Sequence, residues 1–295
     1  MLALVPGPPI DIRNDVDQCP PPSDFFFISE PIFGEGVAKP DASFLVGCAC
    51  YVADEEEASS VRKGCCIDSD CLCLANSNQP VAYDKDGLLL PNITAIYECN
   101  SRCCCTIFSQ PCRNRVIQQG RKVSLTIFRH GGARGWGVRA NHDIARGTFV
   151  DVYLGEIITT AEANARFKRA QALKRPQEAS YLFDLDFNYE AGQESEFTLD
   201  AYRYGNVTHF INHSCDPNLR VYPCFTETQD ARMHSLAFFA CKDIGKGEEL
   251  CFDYLGNNSN SNQASHSQPE TSKSKKGSEQ VCLCGAAKCR KFIYK

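Results

Sequence analysis

The sequence predicts a β-rich α+β fold that is flanked by two cysteine-rich regions. Three observations carry this prediction. Several short apolar runs have the character of strands, only one segment has the signals of a long helix, and twelve of the nineteen cysteines fall into two spaced patterns. A chain of 295 residues with 43% hydrophobic content can bury a core as one large domain or two small ones.

Charge and composition exclude several classes of protein. The formal net charge of −5 argues against a nucleic-acid binder that relies on a basic surface, and it suits a cationic partner such as a Lys/Arg-rich peptide. Because no run of about 18 apolar residues occurs, no membrane span is predicted. The apolar start of the chain lacks a basic region and is broken by Pro6, so it is not interpreted as a signal peptide.

Composition divides the chain into five regions. Residues 1–47 combine prolines, acids and a run of three phenylalanines, which predicts an extended segment that wraps a neighbour. Residues 48–112 hold the first cysteine pattern and few periodic apolar stretches. Hydrophobic burial alone is therefore not expected to fold them, and they need a bound metal or other cross-link. Residues 113–255 hold the strand-like apolar runs and form the expected β-rich core, 256–280 a polar flexible linker, and 281–295 a tail with the second cysteine pattern.

Within the core, residues 123–128, 149–154 and 236–240 are predicted to be strands. One helix is predicted to begin at Thr159, which with Glu162 has the spacing of a capping box. It is expected to run to about Arg175, because Pro176 disfavours helical geometry at the residue before it. Short strands with a single helix favour the β-rich assignment.

The cysteines indicate metal rather than disulfides, because no secretion signal is recognised and an odd number cannot pair completely. The first pattern contains nine predicted zinc ligands: Cys48, Cys50, Cys66, Cys71, Cys73, Cys99, Cys103, Cys105 and Cys112. Three tetrahedral ions need about twelve ligand positions, which nine thiolates fill if three of them bridge. The pattern therefore predicts a trinuclear zinc cluster.

Alternatives exist for individual positions in the first pattern. Cys65 competes with Cys66, which is preferred for its spacing to Cys71, and Cys104 competes with its neighbours. Some of these cysteines could instead be buried apolar side chains.

The second pattern supplies three ligands, Cys282, Cys284 and Cys289, which is one short of a closed zinc site. Cys215 is the best candidate for the fourth ligand, and the alternative for it is a buried core thiol. About four structural zinc ions per chain are therefore expected. The remaining cysteines with no metal-type spacing are interpreted as structural: Cys19, Cys224, Cys241 and Cys251.

Several motifs between the cysteine patterns resemble those of the SET-domain protein lysine methyltransferases. They are Arg134-Gly135-Trp136-Gly137-Val138, Tyr153-Leu154-Gly155-Glu156, Tyr181-Leu182-Phe183, Phe210-Ile211-Asn212-His213-Ser214-Cys215-Asp216-Pro217-Asn218 and Glu249-Leu250-Cys251-Phe252-Asp253-Tyr254. The flanking cysteines resemble the pre-SET and post-SET zinc regions of the suppressor-of-variegation class, which methylates lysine 9 of histone H3. The resemblance covers roughly residues 11–295.

The resemblance implies a SET-domain fold of small curved sheets with a pseudoknot, and S-adenosyl-L-methionine as cofactor. The residues that it implies for cofactor binding are Arg134, Gly135, Trp136, Tyr181, Asn212 and His213. It also implies that Tyr254 is catalytic, that Tyr181 lines the pocket and that Phe252 faces the target amine. A Phe at this last position goes with products up to trimethyl-lysine in the resembled family.

The chemistry explains why aromatic residues are needed. A free lysine amine is protonated below about pH 10.4, and only the neutral amine is a nucleophile. A narrow, desolvated channel with walls such as Tyr181, Phe252 and Tyr254 disfavours the charged form and so lowers the amine pKa. Catalysis would then consist mainly of positioning and electrostatics, with no metal in the reaction itself.

Two further features bear on substrate and rate. The family often has Arg just before its Phe-Ile-Asn-His motif, and here that position is His209. An acidic stretch could attract a basic histone tail, which could add as a strand to an exposed sheet edge. Its members are Asp184, Asp186, Glu190, Glu194, Glu196 and Asp200, of which Asp200 is the implied substrate contact and the alternative is a solvated acidic face.

The sequence therefore predicts a methyltransferase for lysine 9 of histone H3, acting to the di- or trimethyl stage in heterochromatin. The histone H3 tail or nucleosome is the expected partner, with neither membrane nor strong direct nucleic-acid binding. A nuclear, chromosomal location follows from this substrate. The alternatives are a methyltransferase for a non-histone lysine, an inactive histone-tail-binding scaffold and, less favoured by the acidic balance, a zinc-module nucleic-acid binder.

Overall fold

The computed structural model describes residues 6–48, 71–75, 77, 81–107, 112–190, 193–256 and 280–294. Within these ranges, small sheets surround one central apolar core, and a single α-helix packs beside them. The strands are β1 (Ile10–Arg13), β2 (Phe26–Phe27), β3 (Ile32–Phe33), β4 (Ile96–Tyr97), β5 (Leu125–Arg129), β6 (Trp136–Ala140), β7 (Phe149–Tyr153), β8 (Glu156–Thr159), β9 (Leu182–Asp184), β10 (Phe197–Asp200), β11 (Tyr204–Gly205), β12 (Asn212–His213), β13 (Leu219–Phe225), β14 (Ser235–Ala240), β15 (Glu249–Phe252), β16 (Gln280–Val281) and β17 (Phe292–Tyr294).

Helical structure is sparse. The α-helix α1 is Thr160–Ala172, and short 3-10 turns occupy Ala42–Phe44, Leu72–Leu74, Cys104–Ile107, Ile117–Gln119, Gly132–Arg134, Pro176–Ala179 and Val207–Phe210. No helix among the described residues has the length and apolar character that a membrane crossing would require.

The strands group into five sheets in the described part of the chain, in the orders β1-β5-β6-β15-β12, β3-β8-β10-β9, β11-β2, β4-β13-β14-β7 and β16-β17. In the first sheet, β15 pairs antiparallel with β6 and parallel with β12. The segment that leads to Tyr254 is therefore held on both sides by strands from earlier in the chain. This placement brings the motif that contains Asn212 and His213 beside the motif that ends at Tyr254.

The predicted strands are confirmed with small shifts at their ends. Residues 149–154 and 236–240 correspond closely to β7 and β14, while residues 123–128 start two positions before β5. The helix is also confirmed at its start, where the Thr159 side chain accepts a hydrogen bond from the Glu162 backbone N–H at 3.3 Å. It ends at Ala172, three residues before the expected end. The reason is Lys174, whose φ of 56° is incompatible with a continuing right-handed helix.

The N-terminal segment is extended and adds strands to three different sheets. β1 pairs with β5, β2 with β11 and β3 with β8, each in parallel. The buried guanidinium of Arg121 fastens the start of this segment by donating to the carbonyl oxygens of Pro8 and Val123, both at 2.6 Å. The described part of this segment therefore takes part in the same tertiary structure as the core.

A buried histidine in the apolar interior gives a pH-dependent prediction. His234 is 4% exposed, lies 5.9 Å from Phe225 between ring centroids, and its Nδ1 has no hydrogen-bond partner among the described residues. Burial lowers the pKa of His234 to about 4. As pH falls below about 6.5, the unfolded chain takes up a proton that the folded chain does not. The free energy of unfolding of the wild type should therefore fall, relative to His234→Phe, by about 2 kcal/mol between pH 7 and pH 5.

Denaturant unfolding of both proteins at matched zinc content checks this difference. The comparison is needed because burial also raises the pKa of Asp151 and that of Asp186 to about 6. These carboxyl groups stabilise the fold as pH falls through 6 and so oppose the effect of the histidine. A measurement on the wild type without the variant would show only the sum of the two effects. The carboxyl groups are present in both proteins and cancel in the difference. A difference that stays constant from pH 7 to pH 5 would contradict a neutral buried His234.

Candidate active site and metal centres

A cleft of about 240 Å³ lies where the core meets the C-terminal tail. Its lining comes from 133–134, 153, 180–183, 208–209, 211–213, 252 and 254 in the core, and from 280–284 and 293 in the tail. Of the predicted site residues, the cleft brings together Arg134, Tyr181, Asn212, His213, Phe252 and Tyr254. Residues that are up to 120 positions apart in sequence thus share one cavity.

Aromatic rings form one end of this cleft. The ring of Phe252 lies 4.7 Å from that of Tyr254 and 4.9 Å from that of Phe238, between centroids. Phe252 is only 7% exposed, and Tyr181 packs against the same core. Burial raises the pKa of Tyr181 to about 12, so its hydroxyl is neutral at physiological pH. This end of the cleft is therefore apolar and uncharged.

The Tyr254 hydroxyl is held in a defined direction. It donates a hydrogen bond to the Ile211 carbonyl oxygen at 2.9 Å, and the Tyr254 backbone N–H donates to His213 Nδ1 at 3.1 Å. A hydroxyl that donates in this way keeps its lone pairs to accept another hydrogen bond. The position predicted to be catalytic is thus fixed at both its backbone and its side chain.

His209 forms part of the wall behind Tyr181. The two rings stack at 4.2 Å with an interplanar angle of 4°, and Phe25 from the N-terminal segment lies 4.2 Å away on the imidazole. His209 Nδ1 donates to the Ala201 carbonyl oxygen at 2.7 Å, and burial lowers its pKa to about 4. The histidine at this position therefore contributes a neutral, stacked ring and no positive charge.

A polar network supports the other side of the cleft, with Glu249 at its centre. One carboxylate oxygen lies 2.8 Å from His130 Nε2 and accepts from Asn212 Nδ2 at 2.9 Å, while the other accepts from Arg134 Nη2 at 2.7 Å. This network passes over Gly137, where a Cβ would lie 2.8 Å from both Glu249 Oε1 and His130 Nε2. Only glycine leaves room for the network at that position.

Gly135 and Trp136 were also predicted to bind the cofactor, but neither of them lines the cleft. Gly135 has a φ of 69°, which allows the chain to turn into β6, and the Trp136 carbonyl oxygen accepts from Asn212 Nδ2 at 3.0 Å. Trp136 thus contacts Asn212 through its backbone, outside the lining of the cleft.

The His213 ring is committed to protein contacts. Its side chain is 3% exposed, and because Nδ1 accepts from Tyr254, the proton is assigned to Nε2, which lies 3.4 Å from Cys215 Sγ. Burial lowers the pKa of His213, and the Arg290 charge acts in the same direction against the opposing charge of Asp253. Because both ring nitrogens are used within the protein, His213 could contact a cofactor only through its backbone or the edge of its ring.

The second cysteine cluster is defined by Cys215, Cys282, Cys284 and Cys289, whose sulfur atoms all lie within 4.8 Å of one another. A tetrahedral zinc site with bonds of about 2.3 Å has sulfur atoms about 3.8 Å apart. The Cys215 and Cys282 sulfur atoms are separated by 3.8 Å. The donor set and its spacing fit zinc, and they include Cys215 as the fourth member.

The first cysteine cluster contains two overlapping groups. One consists of Cys48, Cys73, Cys99 and Cys103, and the other of Cys99, Cys105 and Cys112. Cys99 belongs to both, which is the arrangement that a bridging thiolate requires. The donor sets fit more than one zinc ion.

Three predicted ligands are not placed in these groups. Cys71 is buried in the first cysteine cluster, but its sulfur belongs to neither group. Cys50 and Cys66 lie outside the described residues, as does the choice between Cys65 and Cys66. Cys19, Cys224, Cys241 and Cys251 belong to none of the groups found in the described part of the chain.

The acidic stretch is partly used inside the protein. The Asp200 carboxylate is 7% exposed and accepts from Arg166 Nη1 at 2.8 Å, so its charge is already paired. Glu196 pairs with Arg232 at 2.7 Å. Asp184 lies on β9, at the edge of its sheet, where the backbone can accept a further strand. The Asp200 carboxylate is thus committed to a contact within the protein, whereas β9 has a strand partner on one side alone among the described residues.

Sequence reasoning missed several residues that shape the site. His130 and Glu249 were not expected to hold Asn212 in place, although Glu249 lies in a quoted motif. Arg290 and Asp253 were also missed, and they form a bidentate ion pair beside Tyr254. No spacing signal could have found Arg290, because its partner is 37 positions away.

Two family models match the chain. The SET domain model matches residues 135–255, and the Pre-SET motif model matches residues 5–115. The second match includes the N-terminal segment together with the first cysteine cluster. Together the two models span most of the chain outside the linker and tail.

Curated proteins are similar to the chain over nearly its whole length. The chain is 41% identical to the histone-lysine N-methyltransferase Su(var)3-9 of Drosophila pseudoobscura pseudoobscura over 98% of this chain and 42% of that protein. It is 40% identical to the histone-lysine N-methyltransferase, H3 lysine-9 specific, of Schizosaccharomyces pombe over 99% of this chain and 56% of that protein. The chain thus spans about half the length of these relatives.

Solved structures share the fold. The Neurospora SET domain protein DIM-5, a histone lysine methyltransferase, superposes with a TM-score of 0.71 at 38% identity, covering 88% of this chain and all of that one. KRYPTONITE in complex with mCHH DNA, an H3(1-15) peptide and SAH superposes with a TM-score of 0.73 at 29% identity, covering 99% of this chain and 52% of that one. The small curved sheets of the present chain are therefore those of a known architecture.

Proposed function

Because the chain belongs to the SET-domain histone lysine methyltransferases of the suppressor-of-variegation class, we propose that it methylates lysine 9 of histone H3. The observation that carries this proposal is the single cleft that joins the aromatic end, with Tyr254, to the polar residues Arg134 and Asn212. The named relative that is specific for lysine 9 and the neighbour with a bound H3 peptide support the substrate.

The residues of the cleft fit S-adenosyl-L-methionine. When bound, this cofactor supplies a methyl group on a positively charged sulfonium. Arg134, Asn212 and the tail residues at 280–284 would hold it, because they line the polar part of the cleft. The neighbour structure with SAH supports the choice of cofactor. The tail also covers this part of the cleft, which limits the entry of water.

The aromatic end prepares the lysine amine. Phe252, Tyr181 and Tyr254 exclude water from it, and desolvation lowers the pKa of a lysine that enters, so that more of the amine is neutral. The Tyr254 hydroxyl, held by Ile211, can accept a hydrogen bond from the amine and keep its lone pair directed along the transfer line. The proton of the ammonium must leave to solvent before each transfer, because only the neutral amine is a nucleophile.

Histone recognition would use the edge of the sheet at β9 and the acidic residues beside that edge. The open side of β9 can pair with an extended peptide, and Asp184 and Asp186 lie beside it. Burial, with the neighbouring charge of Asp184, raises the pKa of Asp186 to about 6. Because this value is still below neutral pH, Asp186 remains mainly ionised there and would attract a basic peptide. A chromatin substrate of this kind places the action of the protein in the nucleus, on chromosomes.

The test uses labelled cofactor and a set of H3 tail peptides. The purified protein should label the wild-type tail and the tail with lysine 4 replaced by arginine, and it should not label the tail with lysine 9 replaced by arginine. Labelling of all three peptides would favour another lysine. Absence of labelling, with peptide binding retained, would favour a scaffold that binds tails without turnover.

The degree of methylation provides a sharper prediction. The channel should let the wild type reach di- and trimethyl-lysine, because Phe252 leaves space beside Tyr254 for a methylated amine to rotate. Phe252→Tyr adds a hydroxyl that would hold the amine or a water in that space. The variant should stop mainly at monomethyl-lysine while the first transfer is largely preserved, as followed by mass spectrometry of the peptide over time.

Phe44→Tyr is the matched control, because it adds the same atom at a position that is 76% exposed and remote from the cleft. It should give the product distribution of the wild type. A wild type that stalls at one methyl, or a Phe252→Tyr protein that trimethylates at the wild-type rate, would show that Phe252 does not set the space for the amine.

A further inference from the structure

The tail carries an arginine that reaches back to the catalytic segment. Arg290 follows the zinc-type ligand Cys289, and its guanidinium donates to both carboxylate oxygens of Asp253, at 2.8 and 2.6 Å. Its backbone N–H also points at Cys215 Sγ, at 3.4 Å. One residue therefore contacts both the second cysteine cluster and the neighbour of Tyr254.

Asp253 in turn defines the backbone that carries Tyr254. The Asp253 side chain is 6% exposed, and its Oδ1 accepts from the Leu255 backbone N–H at 3.0 Å. Its carbonyl oxygen accepts from the Gly256 N–H at 3.1 Å, which closes the turn around Tyr254. A carboxylate this deeply buried needs a cation to compensate its desolvation, and Arg290 is the cation present.

His213 links the same elements from the other side. Its Nε2 lies 3.4 Å from Cys215 Sγ, and its Nδ1 accepts the Tyr254 backbone N–H. The Arg290 guanidinium lies 3.4 Å from this imidazole and covers it. Tyr254 thus lies between His213, which contacts Cys215 directly, and Asp253, which is connected to Cys215 through Arg290.

We propose that Arg290 is a positioning residue, which transmits the docking of the tail to Tyr254 through Asp253. The inference deepens the proposed methyl transfer and rests on it. Cys215 of the core and three cysteines of the tail would already tether the tail through a zinc ion, so the guanidinium is not needed for attachment alone. Its bidentate geometry instead fixes the direction of Asp253, and hence of the turn that aims the Tyr254 hydroxyl at Ile211.

The proposal predicts that loss of Arg290 lowers kcat but leaves cofactor binding unchanged. Arg290→Gln should lower kcat by about 10- to 100-fold, as expected when a catalytic group is displaced by about 1 Å. The dissociation constant for S-adenosylhomocysteine and the zinc content should stay near the wild-type values. In a Tyr254→Phe background, adding Arg290→Gln should cause little further loss, because residues that act as a unit are not additive.

Hydrogen exchange gives a readout that does not depend on activity. The Tyr254 N–H, which is bonded to His213, should exchange faster in Arg290→Gln than in the wild type. Lys288→Gln is the matched control, because it removes the same charge from the same exposed tail. It should leave both kcat and exchange unchanged.

Three results would overturn the proposal: an unchanged kcat, a loss that multiplies in full in the Tyr254→Phe background, or a loss explained by weaker cofactor binding or missing zinc. If the wild type does not methylate the H3 tail, the proposed function fails on its own. The exchange measurement still decides whether Arg290 orders the Tyr254 turn.

Discussion

Removal of zinc is expected to abolish activity and to unfold the region around the first cysteine cluster. In the described residues, the buried side chains of this cluster are cysteines with Leu74 as the one aliphatic member. Such a set cannot form an apolar core, and thiolates crowded together repel one another without a cation. Structural zinc contributes roughly 10–16 kcal/mol in small zinc-stabilised peptides, which is as large as the whole stability of a typical domain, roughly 5–15 kcal/mol.

Elemental analysis should give about four zinc ions per chain before chelation, and circular dichroism should show loss of structure as they leave. Cys282→Ser should remove about one zinc ion together with most activity, because it opens the second cysteine cluster beside the cleft. Cys19→Ser, at an exposed position outside the groups, should retain the full zinc content. A zinc content near one, or full activity after complete metal removal, would disprove the structural role of the clusters.

Tyr254→Phe is expected to lower methyl transfer by on the order of 10²-fold or more, as for loss of a preorganised polar group in other active sites. The variant loses one oxygen atom, so the Ile211 carbonyl oxygen loses its partner at a cost of roughly 1–3 kcal/mol in stability. The ring contacts to Phe252 and His213 remain. The fold and the binding of S-adenosylhomocysteine should therefore persist.

Single-turnover rates with the H3 tail, together with calorimetric binding of S-adenosylhomocysteine, separate the two effects. Tyr204→Phe removes the same atom from an aromatic pair with Phe26, on β11, and should keep the wild-type rate. Wild-type turnover by a folded Tyr254→Phe protein would require another residue to orient the amine.

The sequence was a good guide to elements whose signal is local. Thr159 caps a helix because its side chain meets an N–H only three residues away, and Cys282, Cys284 and Cys289 converge because close spacing delivers them to one point. It was a poor guide to the helix end, since the left-handed backbone of Lys174 is chosen by the path of the chain and not by residue type. The placement of Asp200 in an ion pair with Arg166 was equally invisible in the acidic pattern.

The sequence by itself determined the residue types that the chemistry needs: thiols for the metal, aromatic rings for the channel and an Asn-His pair beside a terminal Tyr. Only the tertiary structure decided how they are held. It placed β15 between β6 and β12, packed Phe25 against His209, gathered His130 and Arg134 on Glu249, and paired Arg290 with Asp253. These contacts join residues that lie far apart in the chain, and their geometry depends on the packing of the whole core, which no local pattern encodes.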